Sequence, residues 1–407
     1  MSDDVLVPKF AAFRSTIFSE MTALANRLGA INLGQGFPDS DGPSELLAAA
    51  AEAVLSGRNQ YPPLPGVPEL RAAIAEQRSA DYGTPYDPGT EILVTAGATE
   101  AITATIAALV PTGDEVLVFE PYYDSYSAAI TMAGAHRRTV RLRPEHDRFT
   151  FDPDELAASV TPRTRAVLVN TPHNPTGTVF SAAELAHIAA VCQRHDLIAI
   201  TDEVYEHLTF DGIRHIPLAS LPGMAERTLT ISSAGKTFNA TGWKVGWVCG
   251  PERMVAAVRT VKQYLTFAGG TPFQYAVAAV LPERHAWLDD LRSRLVTARD
   301  TLADSLTSSG WRCFSCQGGY FLQADARSVG YLDGTALCQD LATEAGVVAI
   351  PSSAFYADAE AGRNLVRFAF CKSHAVIATA AGRLARFADT TKQREGSAAW
   401  REARQSA

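Results

Sequence analysis

In the stretch SSAGKTFNATGWKVGW, residues 232–247, a lysine sits in a polar turn that contains glycine, and a second cation, Lys244, follows eight residues later. The Lys236 amine can condense with an aldehyde, while the Ser233 hydroxyl and the Lys244 ammonium can balance a phosphate dianion. On its own this is an ordinary lysine in a turn. The chain has six lysines, however, and only Lys236 lies among small polar residues between two apolar strands.

Upstream, an apolar strand runs into ITDEVYEHL (200–208), reaching Asp202 with Tyr205 three residues on. A carboxylate closing a buried strand costs free energy unless a cation partners it. The protonated nitrogen of a pyridine ring would be such a partner, and Tyr205 would then lie within reach of a ring hydroxyl. NTPHNPTG (170–177) also follows an apolar strand, and its prolines and glycine dictate a fixed turn that can hold the Asn174 amide against the same hydroxyl. LVTAGATEA (93–101) is a strand, a glycine turn and an alanine-rich helix. The free N–H groups near Ala98 and Thr99, with the Thr99 hydroxyl, make an anion site at the helix start. In EPYYDSY (120–126), Tyr123 offers a ring to stack on a planar ligand. Aldehyde, pyridinium, ring hydroxyl and phosphate together describe pyridoxal 5′-phosphate. Each segment also has a purely structural reading, as a capped turn, an Asn-Pro turn or a core tyrosine; their co-occurrence points to the cofactor.

Near the far end, LVRFAFCK (365–372) places Arg367 inside an alternating apolar strand, where a charge is tolerated only with a partner. A guanidinium grips a carboxylate through two parallel hydrogen bonds, so Arg367 is the candidate for a substrate α-carboxylate. The other reading is a structural ion pair with an acidic residue of the chain.

In this order, and over nearly the whole chain, these segments resemble the fold type I pyridoxal-phosphate enzymes of the class I aminotransferase family. INLGQGFPD (31–39), NQYPPLPG (59–66), SAGKTFNATGWKVGW ending at Trp247, and QGGYF (317–321) are similar to one group within it. That group holds kynurenine/glutamine, methionine-type and actinobacterial N-succinyldiaminopimelate aminotransferases. The resemblance implies that Gly36 presents backbone to the substrate carboxylate, and that Tyr61 reaches across a homodimer interface to the phosphate of the partner's cofactor. Recognition of the substrate side chain is expected from the segment around Ile17 and Phe18, the loop 265–272, and Tyr320. Lys244 stands where the wider family has arginine, and serves as a point charge for phosphate. His173 stands where the family often has a second asparagine, and reads as a turn histidine exposed to water, a ring that faces the site being the other reading. Thr99 stands where kynurenine-type members carry an aromatic.

Short β-branched apolar runs alternate with Ala/Leu-rich segments of helical period, which predicts an α/β fold with a mostly parallel sheet and a smaller α+β domain. Strands are expected near Leu93, Val116, Val167, Ile198, Leu229 and Val245, and helices over 69–82, 100–109, 182–195 and 251–264. The texture then changes to a long charged helix, 284–306. The division this suggests is an N-terminal segment 1–42 joining the small domain, a large cofactor-binding domain 43–283, the small domain 284–390, and a tail 391–407 that is polar apart from Trp400 and reads as a frayed helix or disorder.

At 407 residues the chain can build two cores, and a net charge of −8 argues against a nucleic-acid surface. No apolar run approaches membrane-spanning length, and MSDDVLVPKF lacks the regions of a signal peptide, so a cytoplasmic location is expected. Six scattered cysteines then predict free thiols. Cys313 and Cys316 form a C-x-x-C without a second pair or histidine cluster, so no metal is expected, only two thiols near the small-domain core. The expected activity is a ping-pong transfer of an amino group from an L-amino acid to a 2-oxo acid, with Lys236 as the base and Asp202 and Tyr205 tuning the ring. One rival on the same scaffold is β-elimination from cysteine S-conjugates. Another is a non-catalytic regulator, although the arm before Ile31 is too short and too weakly basic for a DNA-binding domain.

Overall fold

A computed structural model describes residues 5–395. A seven-stranded sheet runs in the order Ile92–Thr95, Gly246–Cys249, Thr228–Ser233, Ile198–Asp202, Thr164–Asn170, Glu115–Glu120, His136–Arg141. Six strands are parallel, and Gly246–Cys249 runs antiparallel to both its neighbours. The inner strands read as apolar runs because helices cover both faces. On one face Leu93, Val116, Leu168 and Ile200 pack beneath the helices Gly97–Leu109, Asp124–Met132 and Glu252–Lys262. The alternate residues Leu117, Val167 and Ala199 share a core with Leu185 and Ile188 of the helix Ala182–Arg194. That helix starts where its sequence says it should, in a capping box formed by Ser181 and Glu184.

A second, antiparallel sheet has the order Arg312–Cys313, Phe321–Asp325, Leu365–Ala369, Ile350–Pro351. The helices Arg284–Ser308 and His374–Glu395 share its core through Leu295, Leu302, Ile377 and Leu384. The N-terminal helix Ile17–Leu28 adds Met21 and Ala25 to the same core, and Ile31–Asn32 pairs in parallel with Val347–Val348. The segment 17–33 thus packs with the second sheet and its helices.

The α/β fold with its smaller α+β layer is as the periodicity predicts, and the expected strands and helices are present to within a few residues. Two features differ. The edge strand His136–Arg141 has no apolar signature because it carries Arg137, Arg138 and Arg141 on a half-exposed edge. The expected tail begins too early: the last helix continues through Glu395, Thr391 is buried, and Lys392 Nζ donates to the Ser309 carbonyl at 2.7 Å. Trp400 lies outside the described residues. No helix among the described residues is long and apolar enough to cross a membrane.

Parallel strands bring their carboxyl ends to one edge of the sheet, which is where open α/β folds bind ligands. Here that edge collects Thr95, Glu120, Asn170, Asp202 and Ser233. The antiparallel strand starts at the same edge, so the residue leading into it, Lys244, arrives there too.

Candidate active site

A cavity of about 960 Å³ opens between that edge and the antiparallel sheet. Every residue assigned above to cofactor or substrate lines it except Tyr61, Tyr320 and the loop 265–272. At one end the helix Gly97–Leu109 begins directly beside Lys244. A Cβ built on Gly97 would lie 3.3 Å from Lys244 Nζ, so the ammonium faces the first turn, where Ala98 and Thr99 present their N–H groups. Gly246 makes this approach possible: a Cβ there would stand 2.6 Å from the Gly97 carbonyl carbon and 2.8 Å from Ala98 N. Lys244 itself is left-handed, at φ 55°. For a non-glycine residue this costs roughly 1–2 kcal/mol, and it lets the chain turn back into the strand with the ammonium at the helix start.

In the middle, Lys236 projects from the short helix Ala234–Thr237, and its Nζ donates to the Gly36 carbonyl at 3.0 Å. The rings of Tyr205 and Tyr320 flank the ammonium, with centroids at 5.5 and 5.2 Å. Burial lowers the lysine pKa to about 8, despite the opposing pull of the Asp202 carboxylate. Asp202, 4% exposed, ends its strand with Oδ2 accepting from the Tyr126 hydroxyl at 2.6 Å. Burial raises its carboxyl to about 6, and the Tyr126 hydrogen bond only partly offsets this. Among the described residues no cation lies within ion-pair distance of Asp202. Tyr123 lines the cavity above Tyr126, edge to face at 5.7 Å, with its hydroxyl against Thr99.

At the opposite side, Arg367 is 1% exposed. Its Nη1 donates to Asn174 Oδ1 at 2.9 Å and its Nη2 to the Gly34 carbonyl at 2.8 Å, while Nε has no partner. Instead of a carboxylate it has aromatic faces, with Phe321 at 3.9 Å, Phe355 at 4.7 Å and Phe18 at 5.2 Å from its Cζ to the ring centroids. Burial lowers its pKa to about 10. The structural ion pair that the sequence left open is therefore absent among the described residues.

Several expectations are corrected. His173 is 2% exposed rather than in water: its turn lies under the second sheet, where Gln317 and Gly318 donate to the Gly177 carbonyl and Gln323 to that of Pro175. Its Nδ1 meets Thr176 Oγ1 at 2.8 Å, and burial pushes its pKa down to about 3, so the ring is neutral. Tyr320 is fully buried, and its hydroxyl lies 3.3 Å from both the Lys236 carbonyl and Asn239 Oδ1. It meets the backbone of Lys236 and does not line the cavity. No residue of the loop 265–272 lines the cavity, whereas Ile17 and Phe18 do. Tyr61 is 82% exposed and packs edge to face on Phe267 of that loop.

Two further residues of the cavity, Tyr126 and Asn170, carry little signal in the sequence. Tyr126 was visible only as a third tyrosine one helical turn after Tyr123. Asn170 donates from Nδ2 to the Asp202 carbonyl at 2.9 Å and accepts at Oδ1 from Asn174 N at 2.7 Å, which ties two strand ends together. Cys316 is buried and Cys313 half-buried beside the second sheet, as expected of structural thiols.

Residues 29–384 match the family model of aminotransferase class I and II. The chain belongs to this family. It superposes with a TM-score of 0.92 on the N-succinyldiaminopimelate aminotransferase from Mycobacterium tuberculosis, at 54% identity, covering 93% of this chain and 99% of that one. It is 43% identical to the methionine aminotransferase of Escherichia coli K12, over 94% of this chain and 99% of the relative. It is also 39% identical to human kynurenine–oxoglutarate transaminase 1, over 88% and 92%. The aminotransferase shares the fold type I architecture of these relatives, including an aspartate aminotransferase of Thermus thermophilus at TM-score 0.87.

Proposed function

We propose that this aminotransferase binds pyridoxal 5′-phosphate through Lys236, moves an amino group from an L-amino acid to a 2-oxo acid by a ping-pong mechanism, and takes N-succinyldiaminopimelate or a broad range of amino acids as donor. The observation that carries the reading is Arg367, a fully buried guanidinium in the same cavity as Lys236, with Nε unpartnered and, among the described residues, no carboxylate within ion-pair distance. A buried charge of this kind is tolerated when a ligand completes it.

The residues fit the cofactor. Asp202 is a buried carboxylate that lacks a cation, which suits a pyridinium. The start of the helix Gly97–Leu109, with Ala98, Thr99, Ser233 and Lys244, suits a phosphate. Tyr123 offers a ring face, and Asn174 and Tyr205 suit the ring hydroxyl. When bound, the cofactor supplies an aldehyde that condenses with amines and a ring that withdraws electrons from the substrate α-carbon. Arg367, Asn174 and the Gly36 backbone hold the substrate carboxylate. Lys236 Nζ, with its pKa near 8, is basic enough to take the α-proton and acidic enough to give it back at neutral pH. Asp202 keeps a positive charge on the ring nitrogen, and Tyr126 and Asn170 hold Asp202 in place.

The proposal also divides the chain into a large domain, 43–283, and a small domain formed by 284–390 with the segment 1–42. Tyr61 completes the phosphate site of a second copy in a homodimer. A cytoplasmic setting fits six free cysteines, five of them buried. The test is to mix the cofactor-loaded protein with N-succinyl-LL-diaminopimelate, kynurenine, methionine or glutamine, one at a time and without an oxo acid, and to follow the spectrum. Conversion to the pyridoxamine phosphate band with one donor names the substrate. Pyruvate and ammonia released from a cysteine conjugate without acceptor would make the protein a lyase, and silence with every donor would overturn the reading.

A further inference from the structure

The cavity holds a second guanidinium that the reaction does not use. Besides the residues described above, it is lined by Phe13 of the N-terminal segment, Tyr122, Ser127 of the helix Asp124–Met132, Tyr356 and Arg137. Arg137 belongs to the edge strand His136–Arg141. Its Nη1 donates to the Ser127 hydroxyl, its Cζ lies 5.0 Å from the Tyr122 ring centroid, and its Nε is buried without a partner. The arginines around it are paired: Arg138 and Arg163 with Glu115, and Arg141 with Glu120. Among the described residues Arg137 has no carboxylate. A guanidinium held on an aromatic face by a neutral hydroxyl, and facing a cavity, is a preformed carboxylate receptor.

We propose that Arg137 is a specificity-determining residue that binds a carboxylate at the far end of the substrate side chain. This rests on the reading above that Arg367 takes the α-carboxylate. The cavity then carries two guanidiniums besides the ammonium at the helix start, Arg367 beside Lys236 and Arg137 beside Tyr122 and Ser127. It favours amino donors and oxo acids that carry a second carboxylate several bonds from the α-carbon over neutral side chains of the same length. The volume of about 960 Å³ lies near the top of the range for small-molecule sites, roughly 300–1,000 Å³, and leaves room for a long chain.

The test uses the cofactor-loaded protein and matched donors: L-norleucine against L-2-aminoadipate, which have side chains of equal length, and then 2-aminopimelate and 2-aminosuberate to vary the reach. One acidic donor in the series should exceed norleucine in kcat/KM. Arg137→Gln should lower kcat/KM for that donor by about 10- to 100-fold, mainly through KM, and should cost norleucine far less. Arg137→Lys should recover part of the loss. Because the result is a ratio of two donors on one preparation, partial misfolding cancels. Calorimetric titration with α,ω-dicarboxylates and with monocarboxylates of equal length gives a readout without turnover: only the dicarboxylates should lose affinity in Arg137→Gln. Equal loss for both donor types, or no preference for any acidic donor in the unsubstituted protein, would overturn the assignment while leaving transamination standing. A protein inert toward every donor that still binds dicarboxylates through Arg137 would instead sink the reading of the activity.

Discussion

Asp202 shows what a buried carboxylate costs the fold. Its carboxyl is pushed up to about 6 by burial, against an ordinary value near 3.9. Between these values the folded protein without cofactor holds a proton that the unfolded chain has lost, so stability falls as pH rises from about 4 to about 6 and stays lower above it. At 1.36 kcal/mol per pKa unit the cost is about 3 kcal/mol. Asp202→Asn should therefore raise the Tm of the cofactor-free protein at pH 8 and leave it nearly unchanged at pH 4. In the loaded enzyme the same substitution should lower kcat by 100-fold or more, because no carboxylate then holds the ring nitrogen charged. Thermal melts at the two pH values decide the first part, and a Tm that drops equally at both would contradict it. Residues such as Lys236 and Asp202 were legible because turn chemistry and strand ends are local. Tyr126, Asn170 and the role of Tyr320 were not, because each is defined by a partner far away in the chain, such as the carbonyl of Lys236, 84 residues from Tyr320.

At the scale of elements, the end of the cavity proposed to hold phosphate depends on one strand running the wrong way. Because Gly246–Cys249 is antiparallel, its entry, and not its exit, meets the start of the helix Gly97–Leu109. Gly246 permits backbone contact there, and any side chain would wedge strand and helix apart. Gly246→Val should reduce stability by about 1–3 kcal/mol as an overpacked contact and weaken cofactor binding at least tenfold, read by spectroscopic titration. Binding as tight as in the unsubstituted protein would show that the cradle is not built on this contact. The helix and strand at this junction were visible in the sequence as periodicity and a glycine turn. The direction of the strand was not, since a four-residue apolar run has the same pattern either way.

Over the whole molecule, one exposed aromatic surface stands out. Tyr61 and Tyr264 are 82% and 85% exposed, and Phe267 joins Tyr61. This surface adjoins the start of the helix Gly97–Leu109 through the hydrogen bond from Thr266 to Glu100 and the approach of Gly269 to Ala96. If two copies pair over it, Tyr61 of one completes the site of the other. Neither Tyr61→Ala nor Lys236→Ala alone should be fully active. Subunits exchanged between the two variants should then recover activity above the sum of both, because one composite site has all its parts. Activity that stays at the sum, or a monomer in sedimentation, would rule out the shared site.

The alternation of strands and helices, the turn around Lys236, the Asp-ended strand and the anion site at a helix start all follow from patterns a few residues long. Such patterns act through backbone propensity and local hydrogen bonds, so the sequence determines them directly. The burial of His173, the unpaired state of Arg367 and the second guanidinium, Arg137, in the cavity arise when segments meet that lie far apart in the chain. Arg367 reaches Asn174 across 193 residues. Whether a charge is left without a counter-charge depends on every surface that closes around it, and only the packed molecule brings those surfaces together.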